Sequence, residues 1–299
     1  MDMAKTVNAY RNKAGTKQEK SSLLRETLAR TVKSPSSKVG VILFALMVLL
    51  AIFAPLIAPY GANSLDIAHA YETPTWAHLM GTDALGRDIF SRLLYGSRYS
   101  IAIGVATALF GALLSIIFGC IAGYFGGIVE TIIMRFLDIW TSLPSILLCI
   151  LISATLGGSF FTTVIALTVG QIPNGVRLIR GQILSERTKE YLEAAESINC
   201  SKLSIMFRHL LPNVISPLIV MTTMGIGNAI TTSATLSYIG LGVQPPTPEW
   251  GAMLSAAKGY IRHYPYQLLY PGLAIAILVL AMNLLGDGLR DAMDPKLKN

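Results

Sequence analysis

Residues 193–201 read EAAESINCS, and residues 208–213 read RHLLPN. Both stretches belong to a polar, charged interval, 185–213, in a chain that is otherwise mostly apolar. A connection of that length is seldom a simple link between two helices in a compact protein. We therefore expect the 185–213 interval to carry function.

The first half of this interval is predicted to be helical. Leu192, Ala195 and Ile198 recur at a spacing of three residues and would share one apolar stripe. Lys189 and Glu193 lie four residues apart and are predicted to pair on the helix surface. An ordinary surface hairpin of two helices has the same local pattern, so the rest of the chain has to decide what the interval does.

A turn and a second short helix are predicted to follow. Asn199 is suited to the left-handed backbone of a tight turn, which asparagine tolerates better than any residue except glycine. Ser201 is predicted to cap the second helix, and Pro212 to end it. Its apolar residues are Leu203, Met206, Phe207 and Leu210.

Composition places the chain among integral membrane proteins. Its 299 residues are 53% hydrophobic and 14% charged, whereas soluble domains average about 25% charged residues. The mean hydropathy is +0.55. In such a chain a net charge of +7 fits lysine and arginine held at the cytoplasmic face of a membrane. Nucleic-acid binding is not expected, because no basic stretch is interleaved with aromatic residues.

Cysteine and histidine are scattered, and we expect all seven to be structural. Their spacing matches no disulfide framework or metal site. They are Cys120, Cys149, Cys200, His69, His78, His209 and His263. A cleavable signal peptide is not expected either, since the first apolar run is too long for a signal core.

Six membrane spans are predicted from the apolar runs. They cover residues 39–58, 100–124, 129–154, 160–178, 215–236 and 266–285. Gln171, Pro173 and Asn174 lie inside the fourth span and should face a partner helix or a water-filled path. Arg135 and Asp138 are predicted to pair at the entry of the third span.

The predicted organisation is a cytoplasmic arm, a membrane domain and a short tail. The arm covers residues 1–38, with a possible amphipathic helix at 22–33, and the tail covers 291–299. The six-span domain is predicted to cover 39–290. An even number of spans puts both termini and the 185–213 interval on one side, which the excess of lysine and arginine there marks as cytoplasmic.

Three further motifs narrow the identity. They are GTDALGRDIFSRLLYGSR at 81–98, ATLSYIGLGVQPPTPEWGAML at 234–254 and NLLGDGLRD at 283–291. Together with the EAA interval, they resemble the second (C-type) permease of the dipeptide, oligopeptide and nickel ABC importers. The resemblance implies an all-α integral membrane protein with the type I importer permease fold, six transmembrane helices and cytoplasmic coupling helices. The family usually has glycine where this chain has Asn199.

The resemblance also implies a role for the 185–213 interval, which we call the coupling segment. It would dock into a groove on an ATPase subunit. Glu193 would be a charged anchor, Ala194 and Ala195 would allow close approach, Asn199 would form the turn, and Pro212 would set the exit. The competing interpretation is that the two alanines only pack the hairpin internally.

By the same resemblance the chain is a transport subunit without a catalytic site. Its partners would be a second permease, two ABC ATPase subunits that bind ATP and Mg²⁺, an extracytoplasmic solute-binding protein and membrane lipid. The chain itself would bind no cofactor. Its location would be the plasma membrane of a bacterium or archaeon.

Arg87 and Asp88 are the candidate docking residues on the outer side. Apolar residues near them share one helical face, which predicts an interfacial helix leading into the second span. Arg87 and Asp88 would then face water, either to dock a solute-delivering protein or to pin the helix at the headgroups. Further along, the stretch 240–251, with three prolines and Trp250, is predicted to be a rigid turn with an aromatic anchor at the membrane interface.

The sequence does not decide which solute is transported. Di- and oligopeptides are the commonest cargo of the family, and nickel or a metal chelate, glutathione and an opine-like compound are the alternatives. A membrane-embedded hydrolase is disfavoured, because no histidine lies in a span and no G-x-S-x-G motif occurs. A simple channel is disfavoured by the long coupling segment.

Overall fold

The computed structural model describes residues 34–293. Regular structure in this part of the chain is helical, apart from one isolated antiparallel bridge between Thr82 and Asp88. The helices are α1 Pro35–Ile52, α2 Ala54–Ile57, α3 Ile89–Phe125, α4 Gly127–Trp140, α5 Ser145–Leu156, α6 Phe160–Glu186, α7 Glu190–Ser197, α8 Lys202–Tyr238, α9 Trp250–Ala257 and α10 Tyr266–Met293. Short 3₁₀ turns occur at Ile67–His69 and Lys258–Tyr260.

The two ends of the described chain differ from the predicted boundaries of the membrane domain. The amphipathic helix expected at 22–33 and residues 294–299 of the expected tail lie outside the described residues. Helix α1 begins at Pro35, before the predicted start of the membrane domain, and α10 continues to Met293, past its predicted end. The three-part division itself stays a prediction.

Four helices, α1, α3, α8 and α10, are long and apolar enough to cross a membrane. Helices α4 and α5 would together form a fifth span, bent by 79°. Helix α6 does not meet the same criterion, in keeping with its Gln171, Asn174, Arg177 and Arg180. All six predicted segments are therefore helical, and four or five of them have the composition of a span.

The third predicted span consists of two helices, α4 and α5, separated by a sharp bend. Residues 141–144 interrupt it, and Pro144 stands immediately before α5. Proline has no N–H to donate, and it disfavours helical backbone in the residue before it. The break separates a partly polar helix, α4, from an apolar one, α5.

Helices α3 and α8 are much longer than the spans predicted within them. Each has 37 residues, which at about 1.5 Å per residue is roughly 55 Å, well beyond a hydrocarbon core of about 30 Å. The interfacial helix expected before the second span is therefore wrong as a separate element. Its residues from Ile89 onward are the first turns of α3.

Small residues let the central helices approach closely. A Cβ atom added to Gly119 of α3 would lie 2.7 Å from the Cβ of Ile179 on α6, and one added to Gly123 would lie 2.8 Å from that of Ile183. Such contacts leave no room for a side chain, so these glycines set the α3–α6 spacing.

The bundle has two distinct ends. At the end that we call the hairpin end, α6, α7 and the start of α8 meet. At the opposite loop end, the connections 58–88 and 239–265 fold over the helices. Tyr71 stacks on Tyr264 with ring centroids 4.6 Å apart, and the Tyr266 hydroxyl donates to the Glu72 carbonyl at 3.0 Å. Both connections are thereby held against α10.

Candidate functional site

The coupling segment folds as a tight helical hairpin. Helix α6 runs to Glu186, and α7 begins only at Glu190. Asn199 forms the turn with φ +56°, as predicted. Ser201 caps the next helix by accepting a hydrogen bond from the Ser204 amide at 3.3 Å, also as predicted.

One face of the hairpin packs into the bundle. Leu192 and Ala195 are buried, and they belong to one apolar cluster with Ile183 of α6 and Leu210 and Val214 of α8. The hairpin is therefore attached to both long helices through side-chain packing and does not hang from them as a free loop.

The other face of the hairpin is exposed. It carries Glu193, Ala194 and Asn199 together with large apolar side chains. These apolar residues are Ile198 (76% exposed), Leu203 (66%) and Phe207 (52%). We call Glu193, Ala194, Ile198, Leu203 and Phe207 the hairpin face. An apolar patch rimmed by polar groups marks a surface for binding another molecule.

Two predictions about the hairpin were wrong. Ile198 does not share the buried stripe of Leu192 and Ala195, because α7 ends at Ser197. Lys189 pairs with Glu186 through its Nζ atom at 2.5 Å, and not with Glu193, because Lys189 precedes α7.

The prediction that Pro212 ends a helix was wrong. Residues Ile205–Leu210 form a π-helical turn that continues into the α-helix Leu211–Tyr238. Pro212 lies in the first turn after that π segment, a position where its missing N–H costs little. The exit of the coupling segment is therefore a continuous helix, with Pro212 exposed on its surface.

A tyrosine bridge that the sequence analysis missed closes the hairpin. The Tyr191 hydroxyl donates to Glu186 Oε2 at 2.9 Å and accepts from Asn213 Nδ2 at 3.3 Å. Burial, and then the bond to Glu186, raise the pKa of Tyr191. The hydroxyl thus stays neutral and links the end of α6 to the start of α8.

Arg87 and Asp88 are buried, so the prediction that they face water was wrong. Asp88 caps α3 by accepting from the Ser91 amide at 2.7 Å, and its other oxygen lies 3.0 Å from His78 Nδ1. Arg87 Nε donates to Asp83 Oδ2 at 2.7 Å. These contacts fix the 58–88 connection on the start of α3, and a docking role for the pair stays a prediction.

Trp250 is also inside the protein, which corrects the prediction of an anchor at the membrane interface. It is 1% exposed, and its indole Nε1 donates to the Leu93 carbonyl at 2.9 Å. The preceding residues are not helical, as expected, and α9 begins at Trp250 with Glu249 as its cap.

A polar cleft lies between α5, α6 and α8, midway along the bundle. Its volume is about 270 Å³. Its lining is Ser145, Cys149, Leu167, Gly170, Gln171, Asn174, Met221, Gly225, Asn228 and Thr232. Gln171 and Asn174 had been predicted to face a partner or water. Asn228 and Thr232 were missed, although an asparagine inside an apolar run is itself a signal.

Comparison with known proteins agrees with this architecture. Residues 115–299 match the family described as "Binding-protein-dependent transport system inner membrane component", and residues 22–74 match "N-terminal TM domain of oligopeptide transport permease C". Solved chains titled "Inward facing conformations of the MetNI methionine ABC transporter" align with TM-scores of 0.54 and 0.57 at 20% identity. They cover 68% and 69% of this chain and 97% and 98% of their own length, and they show the fold alone.

Curated relatives are much more similar in sequence. The glutathione transport system permease protein GsiD of Escherichia coli O6:K15:H31 is 46% identical over 254 residues, which are 85% of this chain and 84% of that protein. GsiD of Pectobacterium atrosepticum is 43% identical over 255 residues, 85% of each chain. The chain therefore belongs to the binding-protein-dependent ABC importer permeases, in the oligopeptide permease C branch. It is a multi-pass transport subunit with the type I permease fold.

Proposed function

We propose that this chain forms half of the translocation pathway of an ATP-driven importer of short peptides, with glutathione among the candidate cargoes. The family description names oligopeptides, and the similar GsiD proteins are named for glutathione, which is itself a tripeptide. The two names therefore agree on a small solute built around peptide amides.

The hairpin face is the observation that carries this proposal. It combines an exposed carboxylate at Glu193, an exposed small residue at Ala194 and three exposed apolar side chains. An apolar surface that includes a small residue lets a partner groove approach closely. The partner is an ABC ATPase subunit, which holds the ATP and Mg²⁺.

Force on the hairpin would reach the membrane helices directly. Leu192 and Ala195 pack against α6 and α8, and Tyr191 ties the two helices together. A displacement of the docked hairpin therefore tilts both helices, which is alternating access by rigid-body switching. Asn199 holds the turn, and Pro212 lies within α8 just after its π turn.

The remaining partners would bind other surfaces of the bundle. A second, different permease covers the exposed apolar helix faces, and a solute-binding protein docks at the loop end. Arg87 and Asp88 support that docking by holding the 58–88 connection in shape. The hairpin end and both termini lie in the cytoplasm.

The substitution Ala194→Trp tests the coupling role. We expect loss of co-purification with the ATPase subunits and loss of uptake, while the permease stays in the membrane. Thr131→Trp is the control, because it adds the same bulk at an exposed position of α4 that is not part of the hairpin face. Unchanged assembly and uptake in Ala194→Trp would contradict the proposal.

The cargo is tested by uptake of a labelled dipeptide, labelled glutathione and nickel in cells with and without this chain. Loss of dipeptide or glutathione uptake supports the proposed substrate class. Loss of nickel uptake alone would move the chain to a metal importer with the same fold and mechanism.

A further inference from the structure

We infer that the polar cleft is the point at which this chain recognises its cargo, and that it does so through neutral amide groups. The inference rests on the proposed function only in treating the cargo as a peptide. The residues that carry it are Gln171, Asn174 and Asn228, supported by Thr232 and Ser145.

The amide groups of Gln171, Asn174 and Asn228 have no hydrogen-bond partner among residues 34–293. All three line the same cleft, from two different helices. Glycines make the space beside one of them: a Cβ atom on Gly111 would lie 3.6 Å from Gln171 Oε1, and one on Gly225 would lie 3.5 Å from it. The Gln171 carboxamide therefore sits between two bare backbone surfaces, free to turn toward the cleft.

Three unpaired amides at this depth require an explanation. Gln171 and Asn174 lie near the middle of α6, and Asn228 lies well inside α8. A primary amide that lacks a partner in an apolar medium costs several kcal/mol, so polar side chains inside a bundle face a partner or a water-filled path. Asn174 and Asn228 are exposed and Gln171 is half-buried in this chain, so water entering the open cleft, and during transport the solute that displaces it, can serve as that partner.

A second recess extends the cleft. It has a volume of about 150 Å³ and shares Ser145, Gly170 and Asn174 with the first. Trp140 also lines it, with an indole nitrogen that is buried and unpaired. Asn174 therefore stands where the two recesses join, which gives the path a direction along α6.

Charge is confined to one end of this path. Arg177 donates to Asp138 Oδ1 and to Thr141 Oγ1, each at 3.0 Å, beside the second recess. The predicted pairing of Arg135 with Asp138 is present at 4.0 Å. It is longer than the ion pair that Arg177 forms with the same carboxylate at 3.0 Å. The lining of the cleft itself contains no charged side chain.

This chemistry selects one part of a solute. A carboxamide both donates and accepts, so it can pair with the C=O and the N–H of a peptide bond. It offers no charge to bind a peptide terminus tightly. The described residues hold no group of three or more His, Cys, Asp or Glu side chains suited to a metal ion. Neutral hydrogen bonds are also weak enough to release the solute, which conduction through a pathway requires.

The test uses the complete transporter, with Asn174→Leu and Asn228→Leu as near-isosteric apolar variants. We expect the maximal rate of dipeptide or glutathione uptake to fall about tenfold in each, the worth of one lost hydrogen bond. The half-saturating concentration should not change, because the solute-binding protein sets it. Thr235→Val is the control, since that exposed hydroxyl bonds the Thr231 carbonyl of its own helix at 2.9 Å.

Assembly and ATP hydrolysis are measured in parallel, so that a folding defect is recognised. Asn228→Cys, in a chain whose own Cys120, Cys149 and Cys200 are replaced by alanine, supplies a readout that does not depend on the cargo: a hydrophilic maleimide should label it in the assembled transporter. Normal uptake in both leucine variants, or no labelling of Asn228→Cys, would overturn the inference. If the wild type imports neither probe, the proposed cargo fails, and the labelling result alone decides whether the cleft is a water-filled path.

Discussion

Asn199 is the residue on which the shape of the hairpin depends most directly. Its φ of +56° suits asparagine or glycine and strains a β-branched side chain. We expect Asn199→Gly to retain function and Asn199→Val to destabilise the hairpin by about 1–2 kcal/mol. Limited proteolysis of the hairpin and co-purification with the ATPase subunits measure this. Equal behaviour of the valine and glycine variants would show that the turn backbone is unimportant.

A substitution at Asp88 distinguishes a structural role of this residue from a docking role at the loop end. Its carboxylate caps α3 and faces His78 in a buried position. Asp88→Ala should lower the free energy of unfolding by about 1–2 kcal/mol, the usual cost of a lost cap, and a thermal melt of the purified protein measures it. Asp66→Ala removes an exposed partner of His69 and should change the melting temperature little. An unchanged melting temperature together with weaker binding of the solute-binding protein would instead indicate direct docking by Asp88.

His69 should titrate at an elevated pH. The hydrogen bond that His69 donates to Asp66, and then the negative charge of Asp66, raise the pKa of His69 above 6.5. The folded form therefore holds the proton more tightly, so this pair contributes fully below pH 6.5, and its contribution is lost as the pH rises through the folded pKa. NMR titration of labelled histidine should show a downward shift of this pKa in Asp66→Asn. No shift would mean that the pair does not persist in solution.

The hairpin as an element depends on the Tyr191 bridge between its two supporting helices. Tyr191→Phe keeps the ring and removes the bonds to Glu186 and Asn213. We expect a loss of about 1 kcal/mol in hairpin stability and weaker coupling of ATP hydrolysis to uptake. The ratio of solute imported to ATP hydrolysed is the measurement. Tyr99→Phe, at a 40% exposed tyrosine of α3, controls for loss of a hydroxyl as such, and an unchanged ratio in Tyr191→Phe would count against the bridge.

Local features of the hairpin could be predicted from the sequence, and its tertiary features could not. The Asn199 turn and the Ser201 cap depend on neighbouring backbone, so the residue types were enough. The break before α7 moved Lys189 out of reach of Glu193, and no residue there forbids a helix. Pro212 was predicted to end the second short helix, but a π turn before it lets the helix continue.

Burial at the loop end could not be predicted from the sequence either, because it depends on tertiary contacts. Asp88 and Trp250 look like interfacial residues by type, yet Asp88 is buried against His78 and Trp250 is covered by a distant segment. Trp250 bonds Leu93, 157 residues away in the chain. The cleft shows the same limit: Gln171 and Asn174 were recognised as polar residues in a span, but only the packing of α8 against α6 brings Asn228 beside them.

At the scale of the whole molecule, the hairpin and the cleft share two helices. Helix α6 carries Gln171 and Asn174 at its centre and meets the hairpin at its end, and α8 carries Asn228 and begins within the coupling segment. We therefore expect a change at the hairpin to alter the spacing of the amides without any separate relay. Ion pairs, including Arg180 Nε to Glu130 Oε1 at 2.7 Å, connect α4 to α6.

This arrangement requires the hairpin end to lie in the cytoplasm, where ATP is available. Single cysteines test it in a chain whose own Cys120, Cys149 and Cys200 are replaced by alanine, provided that uptake is retained. Thr73→Cys lies on the exposed loop end and Ser197→Cys on the exposed hairpin. A membrane-impermeant maleimide added to intact cells should label Thr73→Cys at once and Ser197→Cys only after permeabilisation. The reverse pattern would place the hairpin face outside, and ATPase docking there would then be impossible whatever the effect of Ala194→Trp.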